Sequence, residues 1–166
     1  MKKKGQLELS FGMIFSILII IATLAIAFYV IFKFMQTQEC INVGLFFDGL
    51  NGKIEEAYKA TIVSDSYTSN IPSGITAVCF GYLNQSTVTG GGDSTKQNEL
   101  KANPATRNSG ANVFFYPLQQ GCGGKFPYHK ESHAVVDGFF CINVENGKLT
   151  VKLEKDAFES LVTLSK

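Results

Sequence analysis

Residues 1–32 of the chain read MKKKGQLELSFGMIFSILIIIATLAIAFYVIF, and residues 9–32 contain no charged side chain. At a rise of about 1.5 Å per residue, a helix of this length crosses the hydrocarbon core of a bilayer, which is about 30 Å thick. The stretch is apolar on every side, whereas a helix on the surface of a soluble domain keeps a polar face. The sequence therefore predicts a membrane-embedded helix near the N-terminus rather than a core helix of a soluble protein.

The lysines around this helix predict its orientation. Lys2, Lys3 and Lys4 precede the apolar run, and only Lys33 follows it closely. Positive residues accumulate on the cytoplasmic side of membrane helices. We therefore expect the N-terminus in the cytoplasm and the C-terminal domain outside the cell membrane.

Length and charge restrict the classes of function. The 166 residues suit one membrane segment followed by one domain of ordinary size. The net charge of +1 gives no reason to expect nucleic acid or a strongly acidic partner. The membrane itself is the first expected partner.

An ordinary secretory signal is one interpretation of the N-terminus. Ala25, Ile26 and Ala27 fit the A-x-A pattern of a signal cleavage site. A cut at this site would leave an apolar new end that starts at Phe28, and the apolar run is longer than a typical signal core. A retained helix is the interpretation that we favour.

The residues Lys3, Lys4, Gly5 and Gln6, followed by the long apolar helix, resemble the class III signal peptide of archaeal type IV pilins and archaellins. The tract KKKGQLELSFGMIFSI is also similar to the prepilin-like N-termini of a group of small uncharacterised archaeal membrane proteins. The resemblance implies that a prepilin-type peptidase cuts between Gly5 and Gln6, so that residues 1–5 are a leader. It also implies assembly through the helix, with copies of the same chain and a pilus assembly machinery as partners.

The chain departs from this family in the position of one glutamate. Archaeal pilins often have glutamate at the fifth position after the cut, but that position is Ser10 here, and Glu8 stands at the third. A carboxylate at membrane depth is costly unless it is paired, and a shift of two residues turns it by roughly 200° and moves it by about 3 Å. Glu8 either pairs with the N-terminal amine of a neighbouring subunit, as is thought for pilins, or reaches back toward the lysines. The expected assembly positions are Glu8, Phe11, Ile14, Phe15 and Leu18.

An apolar stripe continues beyond the membrane segment with alternating steps of three and four residues, which is typical of one helix face. Gly44, Gly49 and Gly52 oppose a helix here, at up to about 1 kcal/mol each, and a break near them with Asn51 as a cap stays open. The stripe keeps its phase across the glycines, so we expect one helix of about fifty residues, from near residue 6 to near residue 62. The stripe consists of Cys40, Val43, Phe47, Leu50, Ile54, Ala57 and Thr61.

The remaining chain predicts a β-rich domain. Residues 64–74 are predicted to form a loop that ends in a turn at Pro72–Gly74, and residues 84–110 a polar insertion with a short helix capped by Ser94 and Gln97. Asn146 and Gly147 are the strongest hairpin signal. The predicted strands are residues 75–83, 111–118, 138–145, 148–154 and 159–165, with a short helix as the alternative for the last of them.

Together these features predict an α+β fold in which a long N-terminal helix packs on a mainly antiparallel sheet of four or five strands, and this shape resembles that of a pilin. The predicted segments are a leader at residues 1–5, a transmembrane and assembly helix at 6–33, its amphipathic continuation at 34–63, and an extracellular β-rich head domain at 64–166.

Four cysteines, all after the apolar run, predict two disulfides if that part is exported, and four buried thiols are the alternative. Three pairings are possible. We favour Cys40–Cys79, which would tie the helix to the sheet, and Cys122–Cys141. The chain also contains the glycosylation sequon Asn84-Gln85-Ser86, which has meaning only outside the cytoplasm.

Catalytic patterns are weak in this sequence. His129 and His133, in PYHKESH, do not follow the HExxH order of zinc peptidases, and Pro127 favours a solvated loop. The cysteine spacing contains no CxxC pair. We therefore expect no enzyme activity, cofactor or metal. Adjacent Phe139 and Phe140 point to opposite faces of a predicted strand, so one of them is a candidate contact with another subunit.

The sequence thus predicts a structural subunit of an extracellular type IV pilus-like filament that serves adhesion or surface contact. The alternative is a non-polymerising, membrane-anchored extracellular binding module, which the displaced Glu8 favours. An anchored metalloenzyme that uses the HKESH tract is a third and weaker hypothesis.

Overall fold

The computed structural model describes residues 8–88, 93–120, 122–125 and 127–166. The chain divides into two compact units, Met1–Gln38 and Glu39–Lys166. The described part of the first unit, residues 8–38, is a segment of helix, and the second unit contains the β-structure.

The first helix, α1, spans Glu8–Lys59. It continues through Gly44, Gly49 and Gly52, so the predicted single helix is confirmed and the alternative, a break near these glycines, is not present. The helix ends where the Nζ atom of Lys155 donates to the main-chain oxygens of Tyr58, at 2.5 Å, and Ala60, at 2.9 Å. A cation at this position complements the unpaired carbonyls of a helix C-terminus.

The second unit buries the predicted stripe of α1. Phe46 is also fully buried, although it does not belong to the predicted a/d series, and Thr61 lies beyond the helix end and is exposed. Gly49 allows a close approach of β1, because a Cβ atom there would overlap the hydroxyl oxygen of Tyr67. The glycine thus permits close approach of β-structure instead of breaking the helix. The buried stripe comprises Val43, Phe46, Phe47, Leu50, Ile54 and Ala57.

The described residues contain eight strands, two further α-helices and a short 3-10 helix at Cys122–Gly124. These are β1 Val63–Asn70, β2 Ala77–Phe80, α2 Asp93–Ala102, α3 Pro104–Arg107, β3 Val113–Tyr116, β4 Tyr128–His129, β5 Ala134–Val136, β6 Phe140–Asn143, β7 Lys148–Lys155 and β8 Val162–Ser165.

The strands form two four-stranded sheets. The first sheet has the order β1-β7-β8-β5, in which only the β5–β8 pair is parallel. The second sheet has the order β4-β3-β2-β6 and is antiparallel throughout. The predicted α+β class and the predominance of antiparallel pairing are confirmed, but the strands are shared between two sheets.

The second sheet is covered on both faces. Val78 and Phe80 of β2 face the core that includes the α1 stripe, whereas Ala77 and Cys79 face a second core that includes Leu100 of α2. This arrangement explains why all four residues of β2 are buried. It also corrects the expectation that Phe139 or Phe140 faces another subunit, because Phe139 is buried in the second core and Phe140 in the first.

The predicted hairpin turn is present but joins different sheets. Asn146 and Gly147 both have positive φ, 51° and 72°. The main chains of Glu145 and Lys148 exchange hydrogen bonds of 3.0 and 2.9 Å. β6 pairs with β2, whereas β7 pairs with β1 and β8. The turn therefore passes the chain from the second sheet to the first.

Two local predictions are wrong. Residues 64–74 do not form a loop throughout, because most of the segment belongs to β1, which pairs with the whole of β7. β1 is an edge strand with an exposed polar face, and this composition suggested a loop. Ser94 lies inside α2, which begins at Asp93, so it is not the cap. The turn near Pro72 and the final strand β8 are confirmed.

Candidate functional site

The part of α1 in the first unit has an apolar surface that no other described part of the chain covers. Every residue from 12 to 35 is exposed, and this segment makes α1 long and apolar enough to cross a membrane. Two of its hydroxyl groups are satisfied by the helix itself: Ser16 donates to the Gly12 carbonyl at 2.8 Å, and Thr23 to that of Ile20 at 2.9 Å. A polar group in lipid needs such an internal partner.

The expected processing and assembly residues are distributed as follows. Gly5 and Gln6 lie outside the described residues. The backbones of Glu8 and Phe11 belong to the first turns of α1. Ile14, Phe15 and Leu18 are exposed by 53%, 58% and 58% of their surface. Positions 11, 14, 15 and 18 have the i, i+3, i+4, i+7 spacing of a single helix face.

All four cysteines form disulfides, but our favoured pairing is wrong. The bonds are Cys40–Cys122 and Cys79–Cys141. Cys79 and Cys141 lie directly opposite each other on β2 and β6. The sequence placed these residues on strands correctly, but it could not show that the two strands are neighbours. Cys40, not Cys141, is the partner of the loop cysteine Cys122, so the helix is tied to the loop and not to the sheet.

We expect peptide mapping of the full chain under non-reducing conditions to recover a Cys40–Cys122 and a Cys79–Cys141 cross-linked peptide. The reason is that each pair is brought together by the fold, with Cα atoms 4.3 and 3.9 Å apart. Mass spectrometry before and after reduction makes the assignment. Recovery of a Cys40–Cys79 peptide from folded protein would contradict the order of strands in the second sheet.

The segment that comprises β4 and the residues up to the start of β5 places both histidines against α1. We call residues 128–133 the strap. The His133 ring stacks on Tyr58 with a centroid distance of 4.1 Å and an interplanar angle of 16°, and its Nδ1 atom pairs with the Glu55 carboxylate. The expectation of a solvated loop is therefore wrong for His133, because aromatic stacking and an acidic partner fix its side chain.

At the other end of the strap, His129 packs on Phe47 of α1, with ring centroids 4.9 Å apart. The backbone of the strap is held from the opposite side by Asn112. The Asn112 side chain accepts a hydrogen bond from the Glu131 amide at 2.7 Å and donates to the Glu131 carbonyl at 2.9 Å. The strap thus contacts Asn112 through its backbone and α1 through its two histidine rings.

The Glu131 side chain is the unusual group of this segment. It is only 2% exposed, and its Oε1 atom has no hydrogen-bond partner among the described residues. That oxygen lies 3.4 Å from Nε2 of His129. Burial, and secondly the negative charge of Glu55, raise the pKa of the Glu131 carboxyl from 4.5 to about 7, while His133 acts in the opposite direction. No pattern in the sequence marked this residue, because only the fold reveals its burial.

The strap is not arranged as a metal centre. Within the described part of the chain, no group of three or more His, Cys, Asp or Glu side chains is placed to hold a metal ion. The Glu55 carboxylate is paired with His133, and the remaining strap histidine approaches a single oxygen of Glu131.

Two shallow clefts lie beside Asn103 and Leu118. One has a volume of about 290 Å³ and is bordered by Glu99 and Tyr116, and the other has a volume of about 420 Å³ and is bordered by Tyr128. The Tyr116 hydroxyl donates to the Glu99 carboxylate at 2.5 Å, and this bond raises the pKa of the tyrosine. Amide, hydroxyl and carboxylate groups beside half-buried aromatic rings provide both polar and apolar contacts for a small ligand.

The sequon residue Asn84 is exposed in the segment after β2. Its side chain is therefore accessible to modification where the domain is exported. Comparison of the chain with protein-family models, with curated proteins and with solved structures found no match.

Proposed function

We propose that the chain is a structural subunit of an extracellular type IV pilus-like filament, processed after Gly5 and assembled through its apolar helix, with the head domain outside the cell for adhesion or surface contact. In this proposal the partners are the membrane, a prepilin-type peptidase, a pilus assembly machinery and further copies of the same chain.

The continuity of α1 carries this proposal. One helix from Glu8 to Lys59 contains an apolar segment exposed on all sides and then a stripe that is buried in a β-rich domain. Such a surface requires lipid or other helices around it, since apolar area exposed to water is unfavourable. Packing against copies of itself would replace lipid contacts with helix–helix contacts.

A membrane-anchored binding module is the second candidate function. Two observations favour it: Glu8 stands two positions away from the usual glutamate of archaeal pilins, and the clefts beside Asn103 and Leu118 offer a place for a small ligand. In this case the helix remains in the membrane and the head domain acts alone or in a small oligomer.

The mature N-terminus and a shearing experiment test the proposal together. In the cells that produce the chain, we expect mass spectrometry to find Gln6 as the first residue, because a class III signal is cut after its glycine. We also expect shearing of these cells to release filaments that contain the protein. Substitution Gly5→Val should leave residues 1–5 attached and abolish the sheared fraction.

Gly52→Ala is the matched control, since a Cβ atom at this helical glycine meets nothing within 4 Å. It should be processed and assembled like the wild type. A mature chain that starts at Met1 or Phe28 would contradict the pilin route. A chain that starts at Gln6 but never appears in the sheared fraction would support the anchored binding module instead.

A further inference from the structure

The strap has one fixed side and one side that depends on charge. On the fixed side, β4 pairs with β3, and both main-chain groups of Glu131 are bonded to the neutral side chain of Asn112. On the α1 side, the contacts are one stacked ring pair, one tilted ring pair and one His–carboxylate pair. Protonation acts directly only on the second set of contacts, and the first set is lost only when the segment moves as a whole.

The Glu131 carboxyl is buried between these two sides. A buried carboxyl with an oxygen that accepts no hydrogen bond is tolerated far better as the neutral acid than as the anion. It is not at the surface, where water would solvate its charge, because only 2% of the residue is exposed. The closed strap therefore requires the neutral form of the Glu131 carboxyl.

The surrounding charged groups strengthen that requirement. Glu55 of α1 adds a second negative charge, and His129 and His133 of the strap itself are the cationic groups that bear on the carboxyl when they are protonated. Lys155 of β7 approaches Tyr58, the residue on which His133 stacks. Its Nζ atom lies 5.2 Å from the centre of the Tyr58 ring. Asn112 contributes neutral groups only.

We propose that residues 128–133 act as a pH-sensitive strap, which is closed on α1 under mildly acidic conditions and opens as the pH rises past neutrality, with Glu131 as the sensing group. When the strap is closed and Glu131 is neutral, the rings of His129 and His133 rest on α1. When Glu131 ionises, its charge is buried near that of Glu55, and the strap relieves this by moving away from α1 into water, which also breaks the hydrogen bonds between the Glu131 main chain and Asn112.

The direction follows from proton linkage. The carboxyl has a pKa of about 7 in the closed strap, against 4.5 for a solvated glutamate. The closed form thus binds the proton more tightly, and its advantage is complete below pH 4.5 and is lost as the pH rises to about 7. A difference of this size corresponds to a rise of up to about 300-fold in the equilibrium constant for opening.

Hydrogen exchange of the full chain in detergent micelles tests this inference. Mass spectrometry at pH 5 and pH 8, corrected for the intrinsic pH dependence of exchange, follows the amides of residues 128–133. We expect their protection to fall by one to two orders of magnitude at pH 8, roughly as the linkage relation requires. The amides of β7 should keep their protection, because opening of the strap leaves the first sheet paired.

Glu131→Gln should remove the pH dependence, since a neutral amide of the same shape carries no charge at either pH. Glu145→Gln, at an exposed glutamate, is the matched control and should retain it. Equal protection of the wild-type strap at both pH values would overturn the inference, even if Glu131→Gln fails to fold. An equal loss in β7 would also overturn it, because it would show general destabilisation of the domain.

Discussion

Phe46→Ala is expected to lower the free energy of unfolding of the head domain by about 3–5 kcal/mol, the usual cost of truncating a buried phenylalanine. The Phe46 ring is fully buried and meets the rings of Phe47, Tyr67 and Phe115 at centroid distances of 5.2–5.9 Å. Its removal leaves a cavity at the point where α1 contacts both sheets. Urea unfolding of the full chain in detergent micelles, followed by tyrosine fluorescence, measures the change.

Leu45→Ala is the matched control for this prediction. Leu45 is the preceding residue of the same helix, but 61% of its surface is exposed. Its truncation should change the free energy of unfolding by less than about 0.5 kcal/mol, as is usual for surface positions. If the two variants were equally destabilised, α1 would not pack through the face that contains Phe46.

Removal of the Cys79–Cys141 bond by the double substitution Cys79→Ala/Cys141→Ala is expected to cost about 4 kcal/mol. The bond joins residues 62 positions apart, so its loss greatly enlarges the conformational freedom of the unfolded chain. Alanine is the suitable replacement because Cys79 and Cys141 are buried, and serine would bury a hydroxyl group. The same urea titration measures the loss.

Reduction separates the cross-link from the packing of the sulfur atoms. With both disulfides reduced, the wild type and the double variant have the same covalent connectivity and differ only in two buried sulfur atoms. The difference between them should therefore shrink to about 1–2 kcal/mol, the scale of small truncations in a core. A difference that stays near 4 kcal/mol after reduction would show that packing, and not the bond, provides the stability.

The long-range features of the sequence were sufficient to predict α1. The apolar run and the three-and-four spacing from Cys40 to Ala57 extend over many turns, so single glycines could not hide the periodicity. Gly49 illustrates the limit of that reasoning. Its cost to the helix is a local property, but its benefit arises from Tyr67, which is brought to it by the fold.

The β-structure was less predictable because its composition reflects its surroundings. β1 consists largely of polar residues and is a strand because β7 pairs with it along its whole length. β2 and β3 have no clear alternation because both faces of their sheet are covered. The disulfide pairing failed for the same reason, since it depends on which strands are neighbours.

The strap could be predicted only in part. The spacing of His129 and His133 drew attention to the segment, but the sequence contained no signal for the burial of Glu131. Asn112, 19 positions earlier in the chain, fixes the backbone of Glu131, and the sequence does not show that the two residues meet. The groups that carry chemistry were visible in the sequence, whereas the environment that changes their properties was not.

The bond between Cys40 and Cys122 also has a mechanical meaning. A tensile load that travels along α1 and reaches Cys40 has a covalent route to Cys122, so it bypasses the chain between them, whose ends are 82 positions apart. The bypassed chain contains the part of α1 after Cys40 and then β1, β2, α2, α3 and β3. A load carried by the disulfide therefore does not extend these elements.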